Sequence, residues 1–189
     1  MRVLIVDAFR AEQPGKPLLA TASAVLSASG HDVRRIDLEA SGFPMFMTSE
    51  ERVRYHDVGD NICCPHVAAS VDEIRAAQAV LFGYQTTVHT VPAHLKGWLE
   101  RTLVPGVGFV LNEDDMVRPG LTGVRRVGAI TTTRHNRRAS LVAGDNGRRT
   151  LMRSFRANCG ARCRRTYVSV HDAELAGGAK RVERAFNRW

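Results

Sequence analysis

Arg2-Val3-Leu4-Ile5-Val6-Asp7-Ala8 is a run rich in Val, Leu and Ile with no polar alternation before Asp7. That is the pattern of a strand buried on both faces, and strands of that kind belong to parallel sheets covered by helices. It reads as the first and central strand. Phe9 to Lys16 follows as a loop containing Pro14 and Gly15, and Pro17 stands at a first helical position. Leu18 to Ala28 then repeats apolar residues at helical spacing until Gly30 stops it.

The rest of the chain alternates in the same way. Asp32–Leu38 is a shorter, mixed strand suited to a place nearer a sheet edge, and residues 39–65 form a long irregular excursion. A helix is expected over Val67–Ala77, a strand over Ala79–Tyr84 and a helix over Pro92–Leu103. Arg126–Thr132 gives a fourth strand, Gly147–Asn158 a basic amphipathic helix, Thr166–Val170 a fifth strand and Ala179–Arg188 a last helix. Parallel strands need crossovers of this length, and right-handed crossovers place helices on both faces, so the expectation is a doubly wound five-stranded α/β sheet. Ligands of such folds bind at the carboxyl ends of the strands near the switch point. Asp7–Lys16, Tyr84–Val91 and Thr131–Ala143 are therefore the candidate loops.

The 189 residues fit a single domain spanning 1–189, with no repeat or low-complexity linker to divide it. With 44% hydrophobic and 24% charged residues the chain is neither disordered nor fibrous. No apolar run is long enough for a signal peptide or a membrane span, so a cytoplasmic protein is expected. Cys63, Cys64, Cys159 and Cys163 form no metal-binding spacing and read as structural thiols. The net charge of +8 is unevenly spread: residues 1–117 carry 10 basic and 15 acidic side chains, residues 118–189 carry 17 and 4. A nucleic-acid partner is set aside, because the aromatics of the basic part (Phe155, Tyr167, Phe186, Trp189) are scattered rather than interleaved with it. Arg148, Arg149, Arg153 and Arg156 lie opposite Leu151, Met152 and Phe155 and read as a solvated helix face.

Val91-Pro92-Ala93-His94-Leu95-Lys96-Gly97-Trp98-Leu99-Glu100-Arg101, followed by Gly106-Val107-Gly108-Phe109, resembles the P-A-x-L-K-G-W-x-[DE]-R signature and G-x-[AG]-F tail of the flavodoxin-like NAD(P)H:quinone oxidoreductases. Gly42-Phe43-Pro44, Glu51-Arg52 with Tyr55-His56, and Val117-Arg118-Pro119 are similar to further segments of that family. The resemblance implies a flavodoxin-like sheet of order 2-1-3-4-5 and a homodimer that binds FMN or FAD. It implies NAD(P)H as the electron donor, a quinone or related aromatic acceptor, and ping-pong transfer of two electrons.

The departures from the family fall in the loops. Gln85-Thr86-Thr87-Val88-His89-Thr90 stands where the family has Pro and Trp around the flavin ring, and Thr131-Thr132-Thr133-Arg134 stands where Gly residues approach its pyrimidine edge. Ala139 and Asp145 occupy the places of the Tyr and His that assist hydride transfer. The expected cofactor-binding residues are Phe9, Arg10, Lys16, Pro17 and Leu18 in the first loop and helix start, where Lys16 and the helix N-terminus could hold phosphate. Gln85, Thr86, Thr87, Val88 and His89 follow in the second loop, and Thr131, Thr132, Thr133 and Arg134 in the third. His89, whose imidazole can donate to a flavin carbonyl or a substrate oxygen, is the expected catalytic side chain. Arg134, Arg137 and Arg138 read equally as anion-recognising guanidiniums or as a solvated loop. A member of the family that has lost or altered its flavin and binds an anionic or aromatic metabolite is the alternative.

Overall fold

The computed structural model describes residues 1–189, the side chain of Arg137 excepted. Strand β1 (Arg2–Ala8) pairs in parallel with β2 (Asp32–Asp37) on one side and β3 (Ala79–Gln85) on the other. β6 (Arg126–Thr133) and β7 (Arg164–His171) continue the sheet beyond β3, giving the order β2-β1-β3-β6-β7. Counted over the parallel strands alone, this is the expected 2-1-3-4-5.

The unbroken apolar run of β1 has a direct cause. Leu4, Val6 and Ala8 belong to the core on one face of the sheet, while Val3 and Ile5, with Phe9 after them, belong to the other. α1 (Lys16–Ala28) and α7 (Leu175–Phe186) cover the second face through Leu18, Leu19, Leu26, Val182 and Phe186. α3 (Pro65–Ala76) and α4 (Ala93–Thr102) cover the first through Val67, Ile74, Leu95 and Trp98.

Several elements differ from the sequence expectation. A one-turn helix α2 (Ser49–Val53) sits inside the long excursion, closed by a capping box between Thr48 and Glu51. β4 (Phe109–Leu111) and β5 (Val117–Pro119) form a separate antiparallel hairpin, too short for alternation to register. The expected helix over 147–158 is instead α6 (Asn146–Arg149) running into a π-helical turn (Thr150–Phe155), with α5 (Arg137–Val142) before it in the stretch read as loop. α7 begins at Leu175 rather than Ala179. Gly177 and Gly178 lie in its first turn, and a Cβ at Gly178 would press on Leu18 and Val170, both 3.1 Å away, so the glycine lets α7 close onto α1 and β7.

The signature helix α4 is a brace. Trp98 is wholly buried and packs edge-on against Phe82 of β3. A side chain at Gly97 would collide with the Met45 carbonyl, so only glycine lets the 39–48 segment lie on this helix. Arg101 donates from Nε (3.2 Å) and Nη2 (2.6 Å) to Glu51 and from Nη1 to the Pro44 carbonyl, all in the interior. Burial alone would raise the Glu51 carboxyl; the Arg101 bonds and charge, with the Thr48 N–H, outweigh it and hold the carboxyl below its usual range. His94, in the first turn of α4, bonds the Ala8 carbonyl at 2.8 Å and ties the helix to the end of β1.

Candidate functional site

The parallel registers set the site. Tyr84 lies beside Thr131 and Gln85 beside Thr132, while Thr131 lies beside Ser169 and Thr133 beside His171. The carboxyl ends of β3, β6 and β7 therefore finish together. They open into a cavity of about 730 Å³, well inside the range of small-molecule sites. Thr86, His89 and Thr133 line one wall, with His135, Asn136, Arg138, Ser140 and Leu141 from the following segment. Asp145, Arg148, Tyr167, Ser169, His171, Glu174 and Arg181 complete the lining from the side of β7.

After β3 the chain makes a two-residue hairpin closed by the Thr87 N–H to the Thr90 carbonyl (3.1 Å) and the Thr90 N–H to the Thr87 carbonyl (2.9 Å). Both central residues, Val88 (φ 47°) and His89 (φ 58°), are left-handed, the pattern of a type I′ turn that Asn-Gly satisfies without strain. A β-branched Val in that region costs on the order of 1–3 kcal/mol. The turn is held from outside: the Gly147 N–H donates to the His89 carbonyl at 3.3 Å. The His89 ring stacks on His135, with centroids 3.9 Å apart and planes inclined by 29°. Its Nδ1 is buried and makes no hydrogen bond among the described residues.

Behind the wall, the hydroxyls of Thr86 and Thr131 bond at 2.8 Å and the Thr86 N–H donates to the Thr132 carbonyl at 2.8 Å. Tyr84, fully buried, meets the Tyr167 hydroxyl at 3.4 Å. Burial raises both phenols, Tyr84 well above its ordinary value and Tyr167 to about 12; Asp145 adds to the shift of Tyr167, while Tyr84 and Arg148 oppose it. Both are therefore neutral hydroxyls at physiological pH. The Arg148 guanidinium lies 5.5 Å from the centroid of the Tyr167 ring, so this arginine, read from sequence as part of a solvated face, sits against the cavity wall.

The expected site residues divide. Thr86, His89 and Thr133 come together on the cavity, with Thr131 directly behind Thr86. Thr132 is buried, its hydroxyl unpartnered among the described residues. Gln85 is half-buried, and Thr87 and Val88 are exposed. Arg134 is 82% exposed and pairs with Asp172 at 3.4 Å, and its carbonyl bonds His171. Arg138 lines the cavity, whereas the side chain of Arg137 lies outside the described residues.

The first loop is arranged differently from the expectation. Phe9 and Leu18 are core residues on the far face, and Arg10 and Pro17 are exposed. The Lys16 ammonium turns inward to Asp37 (3.0 Å) and Asp7 (3.7 Å), where Arg35 also binds both carboxylates. Burial would raise Asp37, but the Ala40 N–H and the Lys16 and Arg35 charges hold it below its usual value. The Lys16 N–H donates to Gln13 and that of Leu18 to Gly15, Pro17 has none, and the Phe9 ring fills the space beside Gly15. Among the described residues no free N–H row is left at this helix start and the Lys16 ammonium is engaged by two carboxylates, so it does not fit a phosphate.

Tyr167, Ser169, His171 and Arg181 join the site without a motif in the sequence to mark them. The first three alternate with the buried Val168 and Val170, so they share one face of β7, and that period of two was a usable signal. Arg181, from α7, carried none.

A family model described as flavodoxin-like fold matches residues 1–189. The chain belongs to that family. No curated protein sequence matches it. Among solved structures, flavodoxin-like neighbours include Smu.1420 from Streptococcus mutans UA159 (TM-score 0.84, 19% identity, 100% of both chains covered). An NAD(P)H:quinone oxidoreductase from Methanothermobacter marburgensis superposes with a TM-score of 0.80 at 20% identity, over 99% of this chain and 98% of the other. An FMN-dependent NADH-azoreductase from Bacillus anthracis str. Ames Ancestor, in complex with FMN, gives 0.74 at 14% identity over 99% and 98%. No described helix of the flavodoxin-like chain is long and apolar enough to cross a membrane.

Proposed function

We propose that residues 1–189 act as one domain, a flavin-dependent NAD(P)H oxidoreductase that reduces a quinone or related aromatic acceptor in ping-pong fashion. The observation that carries this reading is the cavity where β3, β6 and β7 end, on the fold shared with the quinone oxidoreductase and the azoreductase. The residues fit a flavin there. Thr86 and Thr133 offer hydroxyls, the stacked imidazoles of His89 and His135 form a flat wall, and Arg138 and Arg148 offer charge to a phosphate. When bound, a flavin supplies two-electron chemistry between nicotinamide and acceptor.

The chain's own part is to position and to handle protons. His89 is the side chain for acid–base work at the ring, fixed by the turn and by His135. Tyr167 holds a neutral O–H in the cavity lining, backed by Tyr84. The exposed apolar side chains Val88, Leu141 and Val142, close in sequence to cavity-lining residues, suit coverage by a second copy, in keeping with a homodimer.

The test is reconstitution of the purified protein with FMN or FAD, followed by absorbance and by NAD(P)H oxidation with quinones. The expected result is retained flavin that NAD(P)H bleaches and a quinone reoxidises; protein that keeps no flavin and oxidises no NAD(P)H with any quinone overturns the reading. The closed start of α1 favours a second reading, in which the cavity binds an anionic or aromatic metabolite without flavin.

A further inference from the structure

We propose that Cys159 and Cys163 form a redox-modification site, a dithiol that a small hydroperoxide converts into an intramolecular disulfide. Neither residue lines the cavity where β3, β6 and β7 end, so the site is independent of the flavin reading. Between the π-helical turn and β7 the chain folds back through Gly160-Ala161-Arg162, closed by the Cys163 N–H to the Gly160 carbonyl at 2.9 Å. This turn brings both side chains into the same core cluster, at 3% and 4% exposure, where the Cys159 S–H can donate to the Cys163 sulfur. Ala161 and Arg162 between them are exposed, as are Arg164 and Arg165 beyond them. The pair therefore sits beneath an exposed turn, within reach of an oxidant of a few atoms.

The two thiols are not equivalent. The bond from Cys159 holds Cys163 below the ordinary thiol range against the effect of burial, with the charges of Arg156 and Arg165 adding to it. The same bond, and then burial, push Cys159 above that range. Arg156 is fixed at the loop, donating from Nε to the Cys163 carbonyl at 2.8 Å and from Nη2 to the Ala161 carbonyl at 3.1 Å. Cys163 is therefore the nucleophile and Cys159 the resolving thiol. The Cys163 thiolate attacks one oxygen of hydrogen peroxide, the O–O bond breaks, and the other oxygen takes up a proton and leaves as water, so that Cys163 becomes a sulfenic acid. The Cys159 sulfur then displaces the hydroxyl, which departs with the Cys159 proton as a second water, and the S–S bond closes. Two electrons pass from the sulfurs to the peroxide.

The experiment uses the full chain as C63S/C64S, in which Cys159 and Cys163 are the remaining thiols. Folded protein is exposed to hydrogen peroxide, then denatured and alkylated with iodoacetamide, and intact and peptide masses are read. The expected result is loss of both alkylatable thiols in a monomeric chain, reversed by dithiothreitol, with a rate whose pH inflection falls below the ordinary thiol value of about 8.5. Dithionitrobenzoate, too bulky to pass the turn, is expected to leave the pair unreacted until the protein is unfolded. With dimedone present, C63S/C64S/C159S is expected to trap a sulfenic acid on Cys163, and C63S/C64S/C163S to trap little on Cys159, circular dichroism confirming that both variants are folded. Thiols that stay alkylatable after peroxide, or a disulfide that forms only between chains or only on unfolding, overturn the inference. Equal trapping at the two positions overturns the assignment of nucleophile and resolving thiol.

Discussion

Two regions respond differently to the same sequence. α4 and the segment it braces carry the family signature, and there the signature residues serve packing, with Trp98 in the core, Gly97 under the Met45 carbonyl and Arg101 on Glu51. The turn at Val88–His89 and the segment from Thr133 to Asp145 depart from the family, and there the backbone is strained, imidazoles stack, and Arg138 stands without an ion-pair partner among the described residues. The signature reports the scaffold. The chemistry particular to this chain lies where the signature lapses, because a scaffold must satisfy its interior in one way while a cleft can be relined.

Substitutions that separate stability from binding test that contrast. The largest effect is expected for R101M, which strands the buried Glu51 carboxylate and should destabilise the fold by about 3–5 kcal/mol in denaturant unfolding; a loss below ~1 kcal/mol would show that the brace is dispensable. The same pair sets an acid limb. The carboxyl of Glu51 is lowered in the fold, so its contribution is complete above the unfolded carboxylate value of about 4.3 and is lost as pH falls through the folded one. E51Q should therefore flatten the decline of melting temperature below about pH 4.5, and an unchanged limb would assign that decline to Asp37 and other carboxylates.

G97A should cost about 1–3 kcal/mol, because the methyl displaces the Met45 segment, with little change in ligand affinity per folded molecule. Wild-type stability in this variant would mean that the 39–48 segment gives way freely. At the site the sign reverses: V88N relieves the left-handed strain and should stabilise by ~0.5–1 kcal/mol. H89G should be within about 0.5 kcal/mol of wild type or slightly more stable, yet weaken binding of an aromatic ligand roughly tenfold by removing half of the stacked wall. Thermal melts alongside ligand titrations check both, and a destabilised V88N would show that the Val side chain is held by contacts that outweigh its strain.

The fold was legible because its signals are local. The two-face burial of β1, the helical spacing of α1 and α3, and the glycine and proline stops each arise within one element and survive in the final sheet. Thr86, His89 and Thr133 were also within reach, since the carboxyl ends of strands are fixed once the strand order is. The first loop was not. The approach of Lys16 to Asp7 and Asp37, and the turn of the Phe9 ring against Gly15, depend on β2 and β6 arriving beside β1 and β3.

The sequence by itself determined the doubly wound five-stranded sheet and the loops that border its ligand edge, because hydrophobic period and punctuation are written residue by residue; the strand order came from the resemblance carried by Val91–Arg101. Only the tertiary structure decided which charges remain to meet a ligand. A guanidinium or ammonium is free or neutralised according to what stands across from it. Lys16 meets Asp37 of β2, Arg148 meets the Tyr167 ring of β7, and Arg181 meets the Ser169 carbonyl, partners from separate elements that come together only once the sheet has closed.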